Sequence, residues 1–564
     1  MQTEFRVFAE LCERLQSTDK RTLMVDFVAE FLRDLSNEEV EPASLMLLGY
    51  SFNVGESKML DLSWATISDL IKRLVDVDWS IFSEFFAKTG DLGSTVKSLF
   101  EKNRFRRQIT LVQEPLTILE VRRIFEAIAK TGGSGSRERK ERLLETLLGD
   151  SSALEAKYIV KILIGEMRTG FHEGLLELAV SKAFDVPQDI VRKANMILGN
   201  IGEVAKVTKT EGIDGLLNLK LQVFRPIKPM LAQTAVDVND ALGQHGGRTA
   251  FEYKLDGARV QIHLSGGVVR IFSRRLKDVT ESFPEIAQLI LSQVHADKAI
   301  LEGEIIAVGE YGNPVPFQHL MRRFRRVLEV ETMIEKVPVQ LQLFDLLYVD
   351  GISFIDKPYV SRRDQLGKIV GKISLVKQKI ISDQTEAETF LKEAVDGGHE
   401  GLMAKKLVSL YTPGIRGKCW FKIKVSLEPL DLVIVAAEYG YGRRHNWLSD
   451  YYLAARNQET GKFSVVGKTF KGLTDEEIIE MTKRLKALTI TEEQRKVTVI
   501  PQIVVEVAYN EIQESPKYKS GMALRFARIT RIRDDKNPQD ADTIQKMNQI
   551  YEKQFKKKAR HSKR

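Results

Sequence analysis

The spacing of apolar residues changes near residue 225 of this 564-residue chain, from a helical period to a period of two. In the first part, apolar residues recur three or four positions apart, at Phe5, Phe8, Cys12 and Leu15 and again at Val121, Ile124, Phe125 and Ile128. Pro226 and Pro229 then stop any helix. From Phe251, apolar and polar side chains alternate, as in half-buried strands. The chain is therefore predicted to be all-helical at first and mixed α and β afterwards.

Two turn-like places in the helical part lie beside basic residues. One is the Gly-rich stretch 132–136, which Arg137, Arg139 and Lys140 follow, and the other is Arg168-Thr169-Gly170. Backbone N–H groups at a helix start, next to cations, suit a phosphate group. A flexible solvated loop before an ordinary charged helix has the same composition. Thr117 and Glu120 are predicted to open a helix as a capping box.

After Lys424 the pattern changes again, to short strands. They are predicted near 432–437, 450–455, 463–466 and 503–509, with one helix among them for which Thr474 is the N-cap. This order fits an OB-type barrel, although other small β folds fit it too. From Tyr551, seven Lys and Arg residues stand against Glu552 alone. We expect a disordered basic tail that makes at most nonspecific contacts with nucleic acid.

Composition narrows the class of protein. The length suggests about three or four domains, and the net charge of +8 favours a polyanionic partner. Cys12 and Cys419 are too far apart in sequence for a zinc pair or a disulfide scaffold, so a reducing compartment is expected. There is no apolar run of about 18 residues, and Glu4 and Arg6 do not fit a signal peptide. These features predict a cytoplasmic protein without a membrane span.

The strongest local feature is Lys254-Leu255-Asp256-Gly257-Ala258-Arg259, between two predicted strands. A lysine at a strand end can act as an amine nucleophile, and Gly257 would let the backbone approach a ligand closely. The amine must be neutral to attack, and nearby cations such as Arg259, Lys422 and Lys424 would lower its pKa. Taken alone, the same hexapeptide also fits a β-turn with a solvated lysine.

Seven ordered motifs give the chain a resemblance over essentially its whole length. They are KLDGAR at 254–259, SRR at 273–275, LEGEIIA at 301–307, LFDLLYVDG at 343–351, EGLMAK at 400–405, WFKIK at 420–424 and RFARITRIRDDKNP at 525–538. The chain resembles the ATP-dependent DNA ligases of the archaeal and eukaryotic replicative type. The resemblance implies a multidomain α+β protein with a helical DNA-binding domain (1–225), a mixed α/β adenylation domain (226–428), a C-terminal OB-fold domain (429–550) and the basic tail (551–564).

The same resemblance implies a reaction in which ATP and nicked duplex DNA are the substrates. Lys254 would attack the α-phosphorus of ATP and carry AMP as a phosphoramidate. AMP would then move to the 5′-phosphate of the nick, and the 3′-hydroxyl would displace it. Such transfers depend mainly on positioning and on charge neutralisation. The family serves DNA replication, repair and recombination.

The resemblance also implies nucleotide contacts for eight other residues. They are Glu252 and Phe344 for adenine, Arg259 and Glu304 for ribose, Lys422 and Lys424 for the α-phosphate, and Arg274 and Arg416 for further nucleotide contacts, Arg274 later reaching the 5′-phosphate of the nick. Two ordinary roles stay open on the residues alone. Glu252 fits a solvated strand carboxylate, and Phe344 fits a core residue.

Carboxylates are needed if a hard cation assists transfers among phosphates. Magnesium takes one or two carboxylates plus substrate oxygens, and Glu304 and Glu400 are the candidates. Either residue could instead form a buried ion pair with one of the nearby lysines. Glu302 alternates with Glu304 on one strand face, so the sequence does not rank the two.

The last motif contains Arg533 and Lys536, which the resemblance assigns to the outgoing pyrophosphate in the first step. A basic strand that faces DNA and performs no chemistry is the alternative. Archaeal relatives often carry a sliding-clamp peptide with paired aromatics before a PLT segment. Residues 107–111 here read RQITL, without that pair, so the clamp is a candidate partner but not by this route. A monomer, nucleoid-associated if archaeal, is expected.

Four other classes compete with the DNA ligase hypothesis. RNA ligases and messenger-RNA capping guanylyltransferases share the KxDGxR motif, but the large helical domain argues against both. Ligases that use NAD carry a cysteine-ligated zinc module, which two cysteines cannot form. A catalytically inactive DNA-binding protein would be expected to have lost Lys254, Glu304, Glu400 or Lys422, and all four are present.

Overall fold

The computed structural model describes residues 2–52, 60, 62–102, 115–309, 312–324, 330–412, 416–424 and 427–559. The chain forms two compact units. The first contains residues 1–85, 92–395 and 399–423, and the second contains 86–91, 396–398 and 424–564. Residues 107–111, where a clamp peptide was considered, lie outside the described residues. Among the described residues, no helix combines the length and apolar character needed to cross a membrane.

The first part of the chain is helical, as predicted. Its helices are α1 (Phe5–Gln16), α2 (Arg21–Asp34), α3 (Val40–Leu47), α4 (Trp64–Val75), α5 (Trp79–Thr89), α6 (Leu92–Lys102), α7 (Ile118–Lys130), α8 (Ser136–Asp150), α9 (Ala153–Ile164), α10 (Glu173–Phe184), α11 (Gln188–Leu198) and α12 (Ile201–Leu217). The predicted apolar face of α1 is fully buried. Thr117 caps α7 by accepting a hydrogen bond from the Glu120 backbone N–H, and the Glu120 side chain accepts one from the Thr117 N–H, which confirms the capping box.

The middle part is built on two sheets with helices around them. Its elements are β1 (Leu231–Thr234), α13 (Val238–Gln244), β2 (Thr249–Lys254), β3 (Ala258–Ser265), β4 (Val268–Ser273), α14 (Pro284–Gln293), β5 (Lys298–Ala307), α15 (Phe317–Leu320), α16 (Val330–Lys336), β6 (Val339–Val349), β7 (Ile352–Ser353), α17 (Tyr359–Ile369), β8 (Ser374–Leu375), β9 (Gln378–Ile381), α18 (Gln384–Asp396), β10 (Gly401–Lys405) and β11 (Arg416–Lys424). One sheet has the order β1-β11-β10-β2-β9, and the other has the order β4-β3-β5-β6-β7, with β8 paired to β6.

Strict alternation along these strands divides each sheet into two faces. On the five-stranded sheet, Phe251, Leu402 and Phe421 belong to an outer core with α13 and α18. On the six-stranded sheet, the outer core contains Val260 and Leu301. A third core lies between the sheets. Residues of α11 and of both sheets contribute to it, among them Met196, Met230, Ile300, Phe344 and Trp420. The polar side chains on these inner faces form the candidate site.

Polar contacts join the helical part to the middle part within the first unit. Arg225 forms an ion pair with Glu203 of α12, and Lys228 forms one with Glu173 of α10. Beside them, the Phe224 backbone N–H donates to Nδ1 of His263 at 2.9 Å. His263 is fully buried on β3, and its Nε2 lies 2.9 Å from Oε1 of Gln261. The imidazole is therefore an acceptor toward the connecting segment.

Acid is expected to destabilise this junction through His263. Burial lowers its pKa to about 3, from about 6.5 in an unfolded chain. The unfolded state thus binds the extra proton first, so the stability contributed by the neutral ring is complete above about pH 6.5 and decreases by about 1.4 kcal/mol per pH unit toward pH 3. Guanidinium unfolding of wild type and His263→Gln should show a stability difference that changes between about pH 7.5 and about pH 5. A difference independent of pH would contradict this assignment.

The second unit is rich in strands. Its elements are β12 (Leu430–Tyr439), β13 (Leu448–Arg456), β14 (Phe463–Thr469), α19 (Asp475–Ala487), β15 (Thr489–Glu493), β16 (Lys496–Val499), β17 (Val504–Ala508), β18 (Glu511–Glu514), β19 (Met522–Arg525), β20 (Arg528–Ile532) and α20 (Ile544–Ala559). Seven strands form one antiparallel sheet in which β12 pairs with β13, β16 and β17, while β18 and β19 form a separate hairpin. Thr474 caps α19 as predicted. The sheet-rich domain is confirmed, and closure into an OB-type barrel stays a prediction.

The expectation of a disordered tail from Tyr551 is wrong for most of its length. Residues 551–559 continue α20, which begins at Ile544. The start of this helix is tied to the domain core, because Met547 is fully buried and Ile550 packs against the same cluster. A helix anchored in this way extends into the basic sequence, since lysine is a good helix former. Residues 560–564 lie outside the described residues.

Candidate active site

Lys254 is the last residue of β2, on the inner face of the five-stranded sheet. Strand β10 runs antiparallel beside it, and the Glu400 backbone N–H donates to the Lys254 carbonyl at 2.9 Å. This pairing brings the two side chains together, and Lys254 Nζ lies 2.5 Å from Glu400 Oε2. Both side chains remain about one-fifth to one-quarter exposed. The alternative of a solvated lysine in a plain turn is therefore wrong.

Gly257 is required by the packing of the turn itself. A Cβ at this position would lie 2.4 Å from the Ile305 carbonyl oxygen and 2.8 Å from the Glu304 side chain. The backbone of the turn thus lies directly against β5. This contact with a strand of the same domain is enough to require a glycine, and the expectation that Gly257 also serves close approach to a ligand stays a prediction. The tight contact fixes Lys254 relative to the carboxylates of β5.

Glu302 and Glu304 of β5, which the sequence could not rank, have different partners. Glu302 is 1% exposed, and its Oε2 lies 2.7 Å from Arg259 Nη2. Arg259 also donates to the Met230 carbonyl at 2.6 Å and to the Tyr411 hydroxyl at 3.3 Å. Glu302 is therefore a buried counter-ion that orients Arg259. Glu304 stands opposite Arg259 in the strand register and is the one left closer to Lys254 and Glu400.

The surroundings of Glu304 change its acidity. Burial raises the pKa of Glu304 to about 7, the charges of Lys254 and Arg259 oppose this shift, and those of Glu400 and Asp256 add to it. A carboxyl group of this kind is half protonated near neutral pH. Perturbed acid groups that face a lysine nucleophile in a cleft are typical of active sites. Three carboxyl groups and two cations thus act on one another near the end of β2.

Glu252 lies two residues before Lys254 on the same strand face and is 2% exposed. Lys405 Nζ lies 2.6 Å from Glu252 Oε2. The Tyr359 hydroxyl donates to Glu252 Oε1, and Gln378 Nε2 donates to the same oxygen at 3.0 Å. The alternative of a solvated strand carboxylate is wrong, because every contact of this group is with buried or half-buried protein.

Phe344 forms part of the wall beside Glu252. Its side chain is 8% exposed and belongs to the core between the sheets, which confirms the core-packing role. Lys405 Nζ lies 4.4 Å from the centroid of the Phe344 ring and 4.4 Å from that of Trp420. The Arg259 guanidinium lies 5.4 Å from the Phe344 centroid. The aromatic wall is therefore flanked by cations on two sides.

The other residues predicted to contact the nucleotide lie on different elements and differ in exposure. Lys422 and Lys424 alternate with buried Phe421 and Ile423 near the end of β11, so both face the inner side, as predicted. Arg416 begins the same strand, opposite Leu231, and only its backbone is described. Arg274 is exposed in the turn that follows β4.

In the second unit, Arg533 and Lys536 are bound to carboxylates of the same unit. Arg533 Nη1 lies 3.0 Å from Asp431 Oδ1, and Lys536 Nζ lies 2.6 Å from Asp431 Oδ2. Arg533 also pairs with Asp535 at 2.7 Å and with Glu506 at 3.8 Å. These cations would have to exchange carboxylates for phosphate oxygens in order to bind pyrophosphate.

Comparison with known proteins identifies the family. The family described as ATP dependent DNA ligase domain matches residues 229–424, DNA ligase N terminus matches 4–181, and ATP dependent DNA ligase C terminal region matches 444–536. A DNA ligase of Korarchaeum cryptofilum is 46% identical over 551 residues, which cover 97% of this chain and 98% of that protein. The chain belongs to the ATP-dependent DNA ligase family. This family seals nicks in duplex DNA at the expense of ATP.

Further comparisons agree with this assignment to the DNA ligases. A DNA ligase of Thermococcus fumicolans is 43% identical over 560 residues, covering 99% of this chain and all of that protein. A solved structure described as Pmar-Lig_PreS3 has a TM-score of 0.58 at 17% identity and covers 93% of this chain and 99% of that chain. At this identity, the structural similarity shows a shared fold. The family models and the relatives at 43% and 46% identity set aside the competing classes, RNA ligase, capping enzyme and NAD-dependent ligase.

The carboxylates of this ligase suit magnesium rather than a metal held by protein alone. In the described part of the chain, no group of three or more His, Cys, Asp or Glu side chains could hold a metal ion. Magnesium uses oxygen ligands, one or two from carboxylates and the rest from phosphates and water. Glu304 and Glu400 influence one another and form such an incomplete oxygen pair. The donor set therefore fits a cation that arrives with a phosphate substrate.

Sequence reasoning missed several residues of the ligase site. Lys405 and Trp420 stand inside the quoted motifs EGLMAK and WFKIK but were given no role. Tyr359 and Gln378 lie outside every motif, and no local pattern marks them. Their common feature is contact with Glu252 or with the wall beside it. Only the arrangement of strands β2, β9, β10 and β11 with helix α17 brings them together.

Proposed function

We propose that this ligase seals single-strand nicks by way of AMP carried on Lys254. The supporting observation is the position of Lys254, at a strand end, fixed by the packing of Gly257 and beside Glu400 and Glu304. In the first step, Lys254 Nζ forms a bond to the α-phosphorus of ATP, the bond to the β-phosphate oxygen breaks, and pyrophosphate leaves. Before this attack the Lys254 ammonium must give up a proton, for which the Glu400 carboxylate at 2.5 Å is a nearby acceptor.

The next two steps return the lysine and close the strand. An oxygen of the 5′-phosphate attacks the phosphoramidate, the P–N bond breaks, and AMP is joined to the DNA end. The 3′-hydroxyl then attacks the 5′-phosphorus, and AMP leaves with the electrons of the broken P–O bond. Each step moves negative charge between phosphates, so fixed cations on the inner sheet faces stabilise all three.

The nucleotide contacts follow from the two inner faces. Glu252 and Phe344 contact adenine, and Arg259 and Glu304 contact ribose. Lys422 and Lys424 contact the α-phosphate. Arg274 and Arg416 make further contacts with the nucleotide, and Arg274 then passes to the 5′-phosphate of the nick. The dense packing of Arg259 against Glu302 and Met230 supports its role, because a guanidinium held in this way is preorganised.

Glu304 and Glu400 would hold Mg²⁺ together with phosphate oxygens. The ion would supply positive charge to the phosphates during transfer. Both residues also act without it, since Glu400 holds the Lys254 amine in place and Glu304 lies beside both cations of the turn. Arg533 and Lys536 contribute to the first step by orienting pyrophosphate. The pyrophosphate oxygens would replace the Asp431 carboxylate as their partner.

For the DNA substrate, we propose the domain limits 1–225, 226–428 and 429–550, followed by the basic segment 551–564. The duplex backbone contacts the loop 132–136 and the turn at Arg168. The Arg139 side chain supports that loop by donating to the carbonyls of Gly132 and Ser134. The ligase acts as a monomer in the cytoplasm, on nucleoid DNA if archaeal, and a sliding clamp would bind it by a route other than residues 107–111.

Labelling of the full chain tests this proposal. We would incubate it with magnesium and α-labelled ATP, GTP or NAD, and assay acid-labile covalent label and then sealing of nicked DNA and nicked RNA. We expect label from ATP and sealing of DNA. Absence of covalent label from ATP would overturn the mechanism, and sealing of RNA alone would overturn the substrate.

Salt should separate the DNA contacts from the nucleotide contacts. Binding to duplex DNA releases counterions, so DNA affinity should decrease by orders of magnitude between about 50 and about 200 mM salt. Transfer of AMP to Lys254 involves fixed charges at short range and should change much less. Equal salt dependence of gel-shift affinity and of labelling rate would contradict this division of the basic residues.

A further inference from the structure

The side chain of Glu252 is held at both carboxylate oxygens by groups from three other elements. Oε1 accepts from the Tyr359 hydroxyl of α17 and, at 3.0 Å, from Gln378 Nε2 of β9. Oε2 lies 2.6 Å from Lys405 Nζ of β10. Gln378 Nε2 also lies 2.6 Å from the Tyr359 hydroxyl. Arg363 adds a more distant positive charge, 3.8 Å from Oε1.

Lys405 is an unusual partner for this carboxylate, because it is 1% exposed. Burial lowers its pKa, and the charge of Glu252 opposes that shift. Its ammonium group lies 4.4 to 4.8 Å from the ring centroids of Phe344, Trp420 and Tyr359. A cation in such a place is stabilised by aromatic faces and by its counter-ion. An ammonium buried at this cost is expected where a carboxylate must stay ionised.

The hydrogen-bonding character of a carboxylate decides which nucleobase it can accept. A carboxylate has acceptors only. It can take a hydrogen bond from the exocyclic amino group of adenine, but it repels the oxygen that guanine carries at the same position. Removal of the neighbouring cation leaves the buried carboxylate without its counter-ion and without a fixed orientation, so this discrimination weakens.

We propose that Lys405, with Gln378 and Tyr359, is a positioning residue that makes this site select adenine over guanine. The inference rests on the proposed function, in which Glu252 contacts the base. Lys405 holds the orientation of Glu252 and balances its charge. It does so through the 2.6 Å ion pair and from a position against the aromatic rings of Phe344 and Trp420. The role belongs to the substrate specificity of the first step.

The test compares Lys254 labelling by α-labelled ATP and GTP in wild type and Lys405→Met, which conserves length and removes the cation. We expect the preference for ATP, as the ratio of kcat/KM values, to decrease by about tenfold to a hundredfold, as for one lost charged hydrogen bond. The loss should appear mainly in KM for ATP. Lys406→Met is the matched control, since Lys406 is the neighbouring lysine and is half-buried with no assigned role at the site, and it should keep the wild-type ratio.

Unfolding midpoints and circular dichroism establish that the variants are folded. If Lys405→Met does not fold, Gln378→Met provides the same test, because Gln378 is only half-buried and still donates to Glu252. It should lower the ratio in the same direction. Equal losses of ATP and GTP labelling in a folded variant would indicate a purely structural role and overturn the inference. Absence of ATP labelling in wild type would instead overturn the proposed function.

Discussion

Replacement of Lys254 by arginine is expected to abolish covalent labelling by ATP. Arginine keeps the positive charge and can keep the contact with Glu400, but its guanidinium does not deprotonate in proteins and cannot supply a neutral amine. Removal of a nucleophile from a working site typically costs on the order of 10⁴-fold or more. Labelling by α-labelled ATP followed by acid treatment measures the effect. Sealing of nicks with ATP should be lost in parallel.

The matched control is Lys377→Arg, a half-exposed surface lysine of the same domain that pairs with Glu393. It should label at the wild-type rate. A second readout uses nicks that already carry AMP on the 5′-phosphate, for which no lysine nucleophile is needed. Lys254→Arg should still seal these nicks, which also shows that the variant is folded. Persistent acid-labile label in Lys254→Arg would mean that another residue carries AMP.

Strands could be predicted from the sequence wherever alternation is long enough. Strands β2 and β3 alternate over six and eight residues, and both were predicted. Strands β15, β16, β18, β19 and β20 have four or five residues each and were not named. Strand β15 has four exposed residues out of five, so no apolar period marks it. These strands exist because distant partners complete their hydrogen bonds, which is a tertiary effect.

Site residues could be predicted where a motif carries the chemistry in adjacent positions. Lys254, Arg259, Glu304 and Lys422 fall in such motifs, and the structure brings them to facing sheet surfaces. The partners that orient them come from distant segments. Arg259 is held by Glu302 and Tyr411, which lie 43 and 152 residues away. Such pairs follow from sheet packing, and a single sequence does not contain them.

The same reasoning applies to two features whose sequence pattern has more than one possible cause. The basic composition from Tyr551 suggests disorder, but the burial of Met547, about one turn earlier, anchors a helix that continues through it. Gly257 is expected to serve ligand approach, which stays a prediction, and its missing side chain also accommodates the Ile305 carbonyl. In both cases the sequence pattern was compatible with more than one cause. The deciding contact came from elsewhere in the fold.

Substitution of Arg533 by alanine is expected to slow transfer of AMP from ATP to Lys254 by about 10²-fold or more, as for other fixed cations at developing charge. Carboxylates of the second unit hold Arg533, and Asp431 joins it to Lys536. In the proposed function, its loss would remove positive charge from the outgoing pyrophosphate, which is released only in the first step. Single-turnover labelling with α-labelled ATP measures the effect.

Sealing of nicks that already carry AMP should be close to the wild-type rate in Arg533→Ala, because no pyrophosphate is released from them. Lys483→Ala is the control for loss of a surface cation, since Lys483 is 73% exposed on α19. A normal labelling rate in Arg533→Ala would contradict the pyrophosphate role. Equal slowing of labelling and of pre-adenylated sealing would instead assign Arg533 to DNA contact or to the stability of the β17–β20 pair, where it lies beside Glu506.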